Sequence, residues 1–171
     1  MTVGPGMDEK LKAARLVYYQ DDVEQIDRII DEFIEKSSSN CVILIDKDGH
    51  MVTKRGKATD FDPETLSALV AGSFAATREM ARMLGQSEFS VMFHKGEKDH
   101  INLSLVGNRA ILATVFDNQT TIGMVQLYNK EASEKIEKVF AIASKKPRPN
   151  VDIHDNFGSD ATKKMNELFG D

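Results

Sequence analysis

The chain of 171 residues contains no tryptophan, only four prolines and a single cysteine, Cys41. One cysteine excludes an intramolecular disulfide and suits a reducing compartment. Cys41 opens the apolar run that continues through Val42, Ile43, Leu44 and Ile45. Because a thiol in apolar surroundings is usually inert, we expect Cys41 to be buried and to have no nucleophilic role.

Long hydrophobic runs and an excess of positive charge are also missing. The sequence has no stretch of the about 20 apolar residues that a membrane-spanning helix requires, and it opens without a signal-peptide pattern. The formal net charge is −5, which excludes a general attraction to nucleic acid or to an anionic membrane. We therefore expect a cytoplasmic protein that neither binds nucleic acid nor inserts into a membrane.

The common catalytic and nucleotide-binding motifs are absent as well. The sequence contains no GxxxxGK[ST] loop, no GxGxxG fingerprint and no GxSxG elbow. Asp46 and Asp48 match part of a calcium loop but lack its further acidic ligands, so a hairpin turn is the better interpretation. Two histidines, His94 and His100, flank a turn, where solvated side chains are the usual finding. The sequence predicts no metal, no cofactor and no catalytic residue.

The apolar periodicity predicts the order helix, two strands, helix, three strands, helix. We expect a first helix over 22–34, capped by Asp21 or Asp22. The strands are expected near residues 41–45, 50–54, 89–93, 101–105 and 110–116, and a last helix from about residue 121. Because hairpin turns join the strands within each group, the predicted fold is α+β, a five-stranded antiparallel sheet with helices on both faces.

The organisation along the chain follows from changes in composition. We predict an N-terminal extension over residues 1–20, one domain over 21–145, a linker over 146–158 and a short C-terminal helix over 159–171. The linker begins with the stiff basic run that ends at Pro149. The terminal helix carries Met165, Leu168 and Phe169 in one stripe. Since a helix of about ten residues is marginal alone in water, we expect it to dock on a partner.

The second helix, expected from Leu66 to Gly85, is the most informative element. It follows Asp62-Pro63-Glu64, a strong helix start. Its expected core face comprises Leu66, Leu69, Val70, Ser73, Phe74, Thr77, Met80, Ala81 and Leu84.

The opposite side of this helix begins with small residues, namely Ala68, Ala71, Gly72, Ala75 and Ala76. Small side chains let another backbone approach closely. A glycine inside a helix costs about 0.5–1 kcal/mol relative to alanine, so helix propensity does not explain Gly72. We predict that this side of the helix packs against a partner.

The chain resembles the roadblock/dynein light chain family, and within it the MglB group of bacterial gliding-motility and polarity regulators. The resemblance extends over about residues 16–145. It is carried by the runs LVYY (16–19), IDKDG (45–49), LVAGSFAA (69–76), FHKGEKD (93–99) and FDNQTTIG (116–123). The last two runs are the more specific ones, and the first fifteen residues have no counterpart.

The resemblance implies a roadblock-type fold, α-ββ-α-βββ-α, that dimerises through helix 2 and an edge strand. It further implies a homodimeric GTPase-activating protein for a small Ras-like GTPase of the MglA type, acting in cell polarity or gliding motility. Such a protein is no enzyme itself, because it reshapes the switch regions of its partner. Location at a cell pole and contacts with other polarity proteins are also implied.

The resemblance assigns the dimer and GTPase contacts to one helix face and a second docking site to the C-terminus. The helix residues are Ala68, Ala71, Gly72, Ala75, Ala76, Glu79, Arg82 and Met83, and the C-terminal residues are Met165, Leu168 and Phe169. Activators of this family insert no arginine finger, so a finger at Arg78 or Arg82 would be a departure.

Two other functions remain open on the sequence. The first is a roadblock scaffold that holds a GTPase or polarity protein without changing hydrolysis. The second is a ligand sensor of the PAS or GAF kind, which also places helices on an antiparallel sheet. No cluster of polar residues in the sequence marks a ligand cavity for that second function.

Overall fold

The computed structural model describes residues 5–57, 60–145 and 165–169, with side chains from Gln20 onward. Tyr19–Ala143 form one compact unit, and Met1–Tyr18 together with Ser144–Asp171 form another. The predicted linker over 146–158 and the start of the predicted C-terminal helix lie outside the described residues. Residues 165–169 are helical, and Met165, Leu168 and Phe169 are 57%, 76% and 86% exposed.

The secondary structure follows the expected order. The elements are α1 (Pro5–Ser37), β1 (Cys41–Asp46), β2 (Met51–Gly56), α2 (Pro63–Met83), β3 (Val91–Lys95), β4 (Asp99–Val106), β5 (Ala110–Asp117) and α3 (Ile122–Lys145). The strands form one sheet in the order β2-β1-β5-β4-β3, and every neighbouring pair is antiparallel. The predicted α+β fold with a five-stranded antiparallel sheet is confirmed.

The starts of α1 and β3 differ from the sequence prediction. Helix α1 begins at Pro5, so Asp21 and Asp22 lie inside it and neither is its N-cap, and the prediction of a cap there was wrong. The run Lys-Leu-Lys-Ala-Ala-Arg-Leu over residues 10–16 consists of good helix formers, and it carries the helix through the two aspartates. Strand β3 begins at Val91, so Phe89 precedes the strand.

The sheet separates two hydrophobic clusters. The cluster on the α1/α3 side is built from Ile26, Ile30, Phe33, Val42, Leu44, Val106, Ala110, Leu112, Phe116, Val125, Ala132, Ile136 and Val139. The cluster on the α2 side contains Cys41, Ile43, Ile45, Val70, Phe74, Leu103, Ile111, Ala113 and Val115. Residues alternate between the clusters along β1 because successive side chains of a strand point to opposite faces. Cys41 is fully buried, as predicted, and burial raises the pKa of its thiol.

Four charged side chains join α1 to α3 across the surface. Lys36 Nζ lies 2.9 Å from Glu32 and 3.1 Å from Glu131. Lys135 Nζ lies 3.1 Å from Glu131 and 3.4 Å from Glu32. Hydrogen bonds to Glu32 and Glu131 raise the pKa of Lys36 to about 12. We call these four residues the ionic clasp. No helix of the described part is long and apolar enough to cross a bilayer.

Candidate interaction surface

The N-terminus of α2 is fixed by Asp62, as the sequence predicts. Its carboxylate accepts hydrogen bonds from the Glu64 amide at 3.2 Å and from the Thr65 hydroxyl at 2.6 Å. The Thr65 hydroxyl and then the Glu64 amide lower the pKa of Asp62. Pro63 follows at the first helical position, where its missing N–H group costs nothing.

The C-terminus of α2 is closed by Gly85, again as predicted. Gly85 has a φ of +77°, a conformation that favours glycine. The Gly85 amide donates to Arg82 O at 3.0 Å and the Gln86 amide donates to Ala81 O at 2.9 Å. These two bonds are those of a Schellman motif. Both ends of α2 are therefore capped by residues directly before and after the helix in sequence.

The buried face of α2 is narrower than the sequence predicts. Ser67, Val70, Phe74 and Ala81 are buried, but Leu69, Met80 and Leu84 are 66%, 58% and 71% exposed. The prediction of these three as core residues was wrong. Helix α2 packs on β1 and β2, so only a narrow strip of the helix meets the sheet.

The small residues of α2 divide into two groups. A methyl group on Gly49, in the β1–β2 turn, would lie 3.2 Å from Ala71 Cβ and 3.3 Å from Ala68 Cα. The chain's own turn therefore lies against the Ala71 side chain and against the backbone of Ala68, whose side chain is exposed. A methyl group on Gly72, in contrast, would meet no atom of the described chain within 4 Å. Ala75 and Ala76 are exposed, so these two and Gly72 form the open group.

An exposed apolar stripe runs along α2 and includes Gly72. Leu69, Gly72, Ala76, Met80 and Met83 follow one another at intervals of three or four residues, which places them on one side of a helix. All five are exposed, Met83 to 87%. We call them the α2 stripe. The sequence analysis missed Leu69 and Met80 here because it had assigned both to the core.

The charged residues beside the stripe are paired with one another. Arg82 Nη1 lies 2.8 Å from the Glu79 carboxylate, and Arg78 Nε lies 3.5 Å from that of Glu88. All but Glu88 are exposed. Each arginine therefore already has a carboxylate partner within the chain.

Strand β3 forms one edge of the sheet, and no other strand of the described chain pairs with its outer side. Val91 and Phe93 on this strand are 45% and 39% exposed. Thr77 of α2 reaches toward β3, with its hydroxyl 3.4 Å from Met92 Sδ. An edge strand with open backbone groups and apolar side chains can add a further strand.

The two candidate metal patterns have structural roles in the turns. Side-chain ligand atoms of Asp46, Asp48 and His50 lie within 4.8 Å of one another. Asp46 Oδ1, however, accepts hydrogen bonds from the amides of Asp48 and His50, both at 2.9 Å, and so holds the β1–β2 turn. The buried His100 is hydrogen-bonded through both ring nitrogens, whereas His94 is exposed.

Comparison with solved structures shows close likeness to three MglB structures. Myxococcus xanthus MglB is 34% identical, with a TM-score of 0.65 over 68% of this chain and 94% of that chain. The gliding protein MglB of Thermus thermophilus is 29% identical, with a TM-score of 0.67 over 69% and 90%. An MglB with a tetrameric arrangement is 28% identical, with a TM-score of 0.67 over 74% and 92%.

Sequence comparison leads to the same family. Two uncharacterized proteins of Methanocaldococcus jannaschii are 24% and 23% identical over 115 residues, which is 67% of this chain and 99% of each relative. The family model of the Roadblock/LC7 domain matches residues 26–116, from the middle of α1 to the end of β5. The chain, with its α2 stripe and open edge strand, belongs to the Roadblock/LC7 family and is an MglB-like member of it.

Proposed function

We propose that the chain is a homodimeric GTPase-activating protein for a small Ras-like GTPase of the MglA type. Two copies pair through α2 and β3, and the paired α2 helices form the platform that contacts the switch regions of the GTPase. The likeness to MglB supports the partner class. Such a protein acts where the GTPase controls gliding motility or polarity, and we place it at a cell pole.

The α2 stripe is the observation that carries this proposal. A surface helix normally turns charged side chains to water, but the α2 stripe exposes Leu69, Met80 and Met83 to more than half of their area. Gly72 leaves the centre of the stripe open. Exposed apolar patches rimmed by polar residues are typical of protein contacts. A second copy would cover this stripe.

Activation by contact alone is physically sufficient for a GTPase. Phosphoryl transfer depends mainly on positioning and electrostatic stabilisation, so a protein that aligns the catalytic groups of its partner accelerates hydrolysis. The ion pairs of Arg78 with Glu88 and of Arg82 with Glu79 would have to break before either arginine could enter the nucleotide site. Remodelling of the switch regions is therefore the mechanism that we propose.

The test is phosphate release from a cognate Ras-like GTPase with the purified full-length chain in several-fold excess. Acceleration supports the proposal. A stable complex with an unchanged rate would show instead a roadblock scaffold, which is the second candidate because the same stripe would bind in either case. No complex and no acceleration would contradict both functions.

Gly72 supplies the sharpest variant. Gly72→Arg should abolish activation, because a long charged side chain would separate the two α2 helices whose pairing is proposed to form the platform. Gln126→Arg is the matched control, since Gln126 is exposed on α3, on the other side of the sheet, and its activation should be unchanged. We avoid Ala68→Arg because Ala68 also contacts the Gly49 turn. Retained activation in Gly72→Arg would place the platform elsewhere.

The C-terminal stripe is proposed as a separate docking element for the GTPase. Met165, Leu168 and Phe169 are exposed on the helix over 165–169, and water alone stabilises so short a helix poorly. Deletion of residues 150–171 should weaken GTPase binding and leave the dimer folded. Unchanged affinity and unchanged nucleotide exchange would show that the segment serves another purpose.

A further inference from the structure

Two of the sequence runs that carry the family resemblance meet at one buried histidine. His100, on β4, is 6% exposed. It stands opposite Phe116 on β5 and opposite Lys95 on β3. Its ring centre lies 5.2 Å from that of Phe116 and 6.2 Å from that of Phe93. Phe93 and Phe116 stack on each other at 6.0 Å, so His100 completes an aromatic cluster beneath the edge strand.

The hydrogen bonds of His100 fix its protonation. The Gly96 amide lies 3.1 Å from Nδ1, and because an amide N–H only donates, Nδ1 carries no proton. The ring proton therefore sits on Nε2, which donates to Asn118 Oδ1 at 2.8 Å. Asn118 Nδ2 in turn donates to the carbonyl of Glu97 at 3.4 Å. We call this closed set of three bonds the histidine latch.

The latch joins two segments that are distant in sequence. Gly96 and Glu97 form the turn between β3 and β4, and Asn118 lies in the loop between β5 and α3. The latch therefore ties the turn that follows β3, the open edge of the sheet, to the loop that follows β5.

We propose that a proton is the ligand that opens this latch and so weakens pairing through the β3 edge. A doubly protonated imidazole has two N–H donors and no acceptor, so the Gly96 amide would face another donor. A charged ring would also stand in an apolar cluster, which costs free energy. Histidine is the side chain that changes its charge between about pH 5 and pH 8. The effect on pairing rests on the proposed dimer.

Charged groups of both signs surround the latch. Those on the same or neighbouring strands and in the turn are His94, Lys95, Glu97, Lys98, Asp99 and Asp117. Asp117 is itself held by the Gln119 amide at 2.9 Å and by Asn40 at 3.1 Å. Loss of the Gly96 bond is the step specific to the protonated ring.

The experiment follows the full-length chain from about pH 8 to about pH 5.5, the range in which histidine titrates. Nitrogen-15 NMR reads the ring tautomer of His100 and the Gly96 amide, and sedimentation equilibrium reads the dimer dissociation constant. We expect the Nε2–H tautomer at high pH, and a dimer that weakens by about threefold or more as histidine becomes charged. An Nδ1–H tautomer at high pH, or a dissociation constant independent of pH, would overturn the proposal.

Three variants separate the latch from general acid effects. His100→Gln can accept from Gly96 and donate to Asn118 but does not titrate, so its dimer constant should be flat with pH. His50→Gln is the matched control, since His50 is exposed in the β1–β2 turn, at the opposite end of the sheet from β3, and its variant should retain the wild-type profile. Asn118→Asp should move the transition to higher pH, because a carboxylate favours the charged ring. An unshifted transition in Asn118→Asp, or a wild-type profile in His100→Gln, would contradict the proposal.

The ring and Gly96 signals report on each protomer whether or not two copies pair. If the His100 ring and Gly96 signals change with pH as described but the chain stays monomeric at every concentration, the proposed dimer is wrong and the latch is upheld. A stable dimer whose Gly96 amide does not respond to pH would uphold the dimer and overturn the latch.

Discussion

The two faces of the sheet are covered to very different degrees. On one face, α1 and α3 lie side by side over a large apolar cluster, and the ionic clasp ties them together. On the other face, α2 packs on β1 and β2 and leaves Leu69, Met80 and Met83 in water. On the first face the described chain covers the apolar cluster by itself, although Leu127 and Ile142 of α3 remain exposed. The second keeps an exposed apolar stripe, which we propose that a second copy covers.

This difference between the two faces predicts which property a substitution on each face will alter. A substitution under α1 and α3 should act on folding, because its neighbours are all in the same chain. A substitution in the α2 stripe should act on association, because we propose that this stripe contacts a second copy of the chain. The following predictions test this division, beginning with the largest effect.

Ile136→Ala should lower the free energy of unfolding by about 2–5 kcal/mol, because it opens a cavity in a packed core. Ile136, on α3, is 0% exposed. Leu127→Ala on the same helix is the control; Leu127 is 61% exposed, and its variant should differ from wild type by about 0.5 kcal/mol or less. Urea unfolding measures both. Equal losses in the two variants would mean that α3 is not packed as described.

The double variant Met80→Ser, Met83→Ser should weaken the dimer by about tenfold or more, since each apolar side chain buried in a contact contributes about 1.5–3 kcal/mol. The same variant should unfold almost as wild type when measured at concentrations below the dimer dissociation constant. Sedimentation equilibrium and urea unfolding give the two numbers. A dimer unaffected by both serines would remove the α2 stripe from the interface.

Two glycines of the α2 region should respond to alanine in opposite directions. Gly85→Ala should destabilise the fold by about 1–2 kcal/mol, because an L-residue is strained at positive φ. Gly72→Ala should stabilise the isolated protomer by about 0.5–1 kcal/mol through helix propensity. Neither added methyl group meets an atom of the described chain within 4 Å, so thermal unfolding compares backbone effects alone.

The same Gly72→Ala variant should weaken the dimer if a second backbone approaches α2 at this point. Sedimentation equilibrium on the variant measures this second effect. A protomer that gains stability and a dimer that is lost would together locate the close approach, whereas a strengthened dimer would show that the interface is loose at Gly72.

Loss of the ionic clasp should have the smallest effect. Lys36→Met should lower stability slightly in dilute buffer and have no effect in about 1 M salt, where charges are screened within about 3 Å. The carboxylate pKa values of Glu32 and Glu131 are lowered, chiefly by Lys36. The contribution of these two carboxylates to the stability of the fold is therefore complete at pH values above their ordinary pKa of 4.5. It is lost as the pH falls through their lowered pKa values in the folded protein.

The lysine of the clasp has the opposite dependence. The pKa of Lys36 is raised from 10.5 to about 12. The contribution of the charged Lys36 to the stability of the fold is therefore complete below pH 10.5 and is lost as the pH rises through about 12. Thermal unfolding of wild type and Lys36→Met across this range measures the difference. A gap between the two proteins that persists at high salt would show that the contact of Lys36 Nζ with the Tyr128 ring, rather than the ion pairs, is responsible.

The strands, their hairpins and both ends of α2 could be predicted from the sequence because local chemistry decides them. Asp62 and Pro63 start the helix, Gly85 ends it, and alternating residues mark β4 and β5. The start of α1 could not be predicted in the same way. An aspartate looks like a cap wherever it precedes an apolar pattern, and only the helix formers before it decide whether the helix is already under way.

The burial of α2 depends on tertiary structure and was beyond the reach of periodicity. The sequence analysis assigned a wide set of residues to one core face because Leu69 and Met80 are as apolar as Val70 and Phe74. Which of them is buried depends on the strands that the helix covers. Periodicity also could not show that the Gly49 turn lies against Ala71 and the backbone of Ala68, because that turn is distant in sequence.

The single thiol of Cys41 can serve as a probe for opening of the sheet. Cys41 lies in the central region of the sheet, on β1 between β2 and β5, and is fully buried. A thiol reagent can reach it only when the sheet opens, so the rate of labelling reports the free energy of that opening. The chain has no second cysteine to confuse the signal. Slower labelling in the presence of a partner would therefore measure, without any engineered label, how far binding on the surface steadies the centre of the molecule.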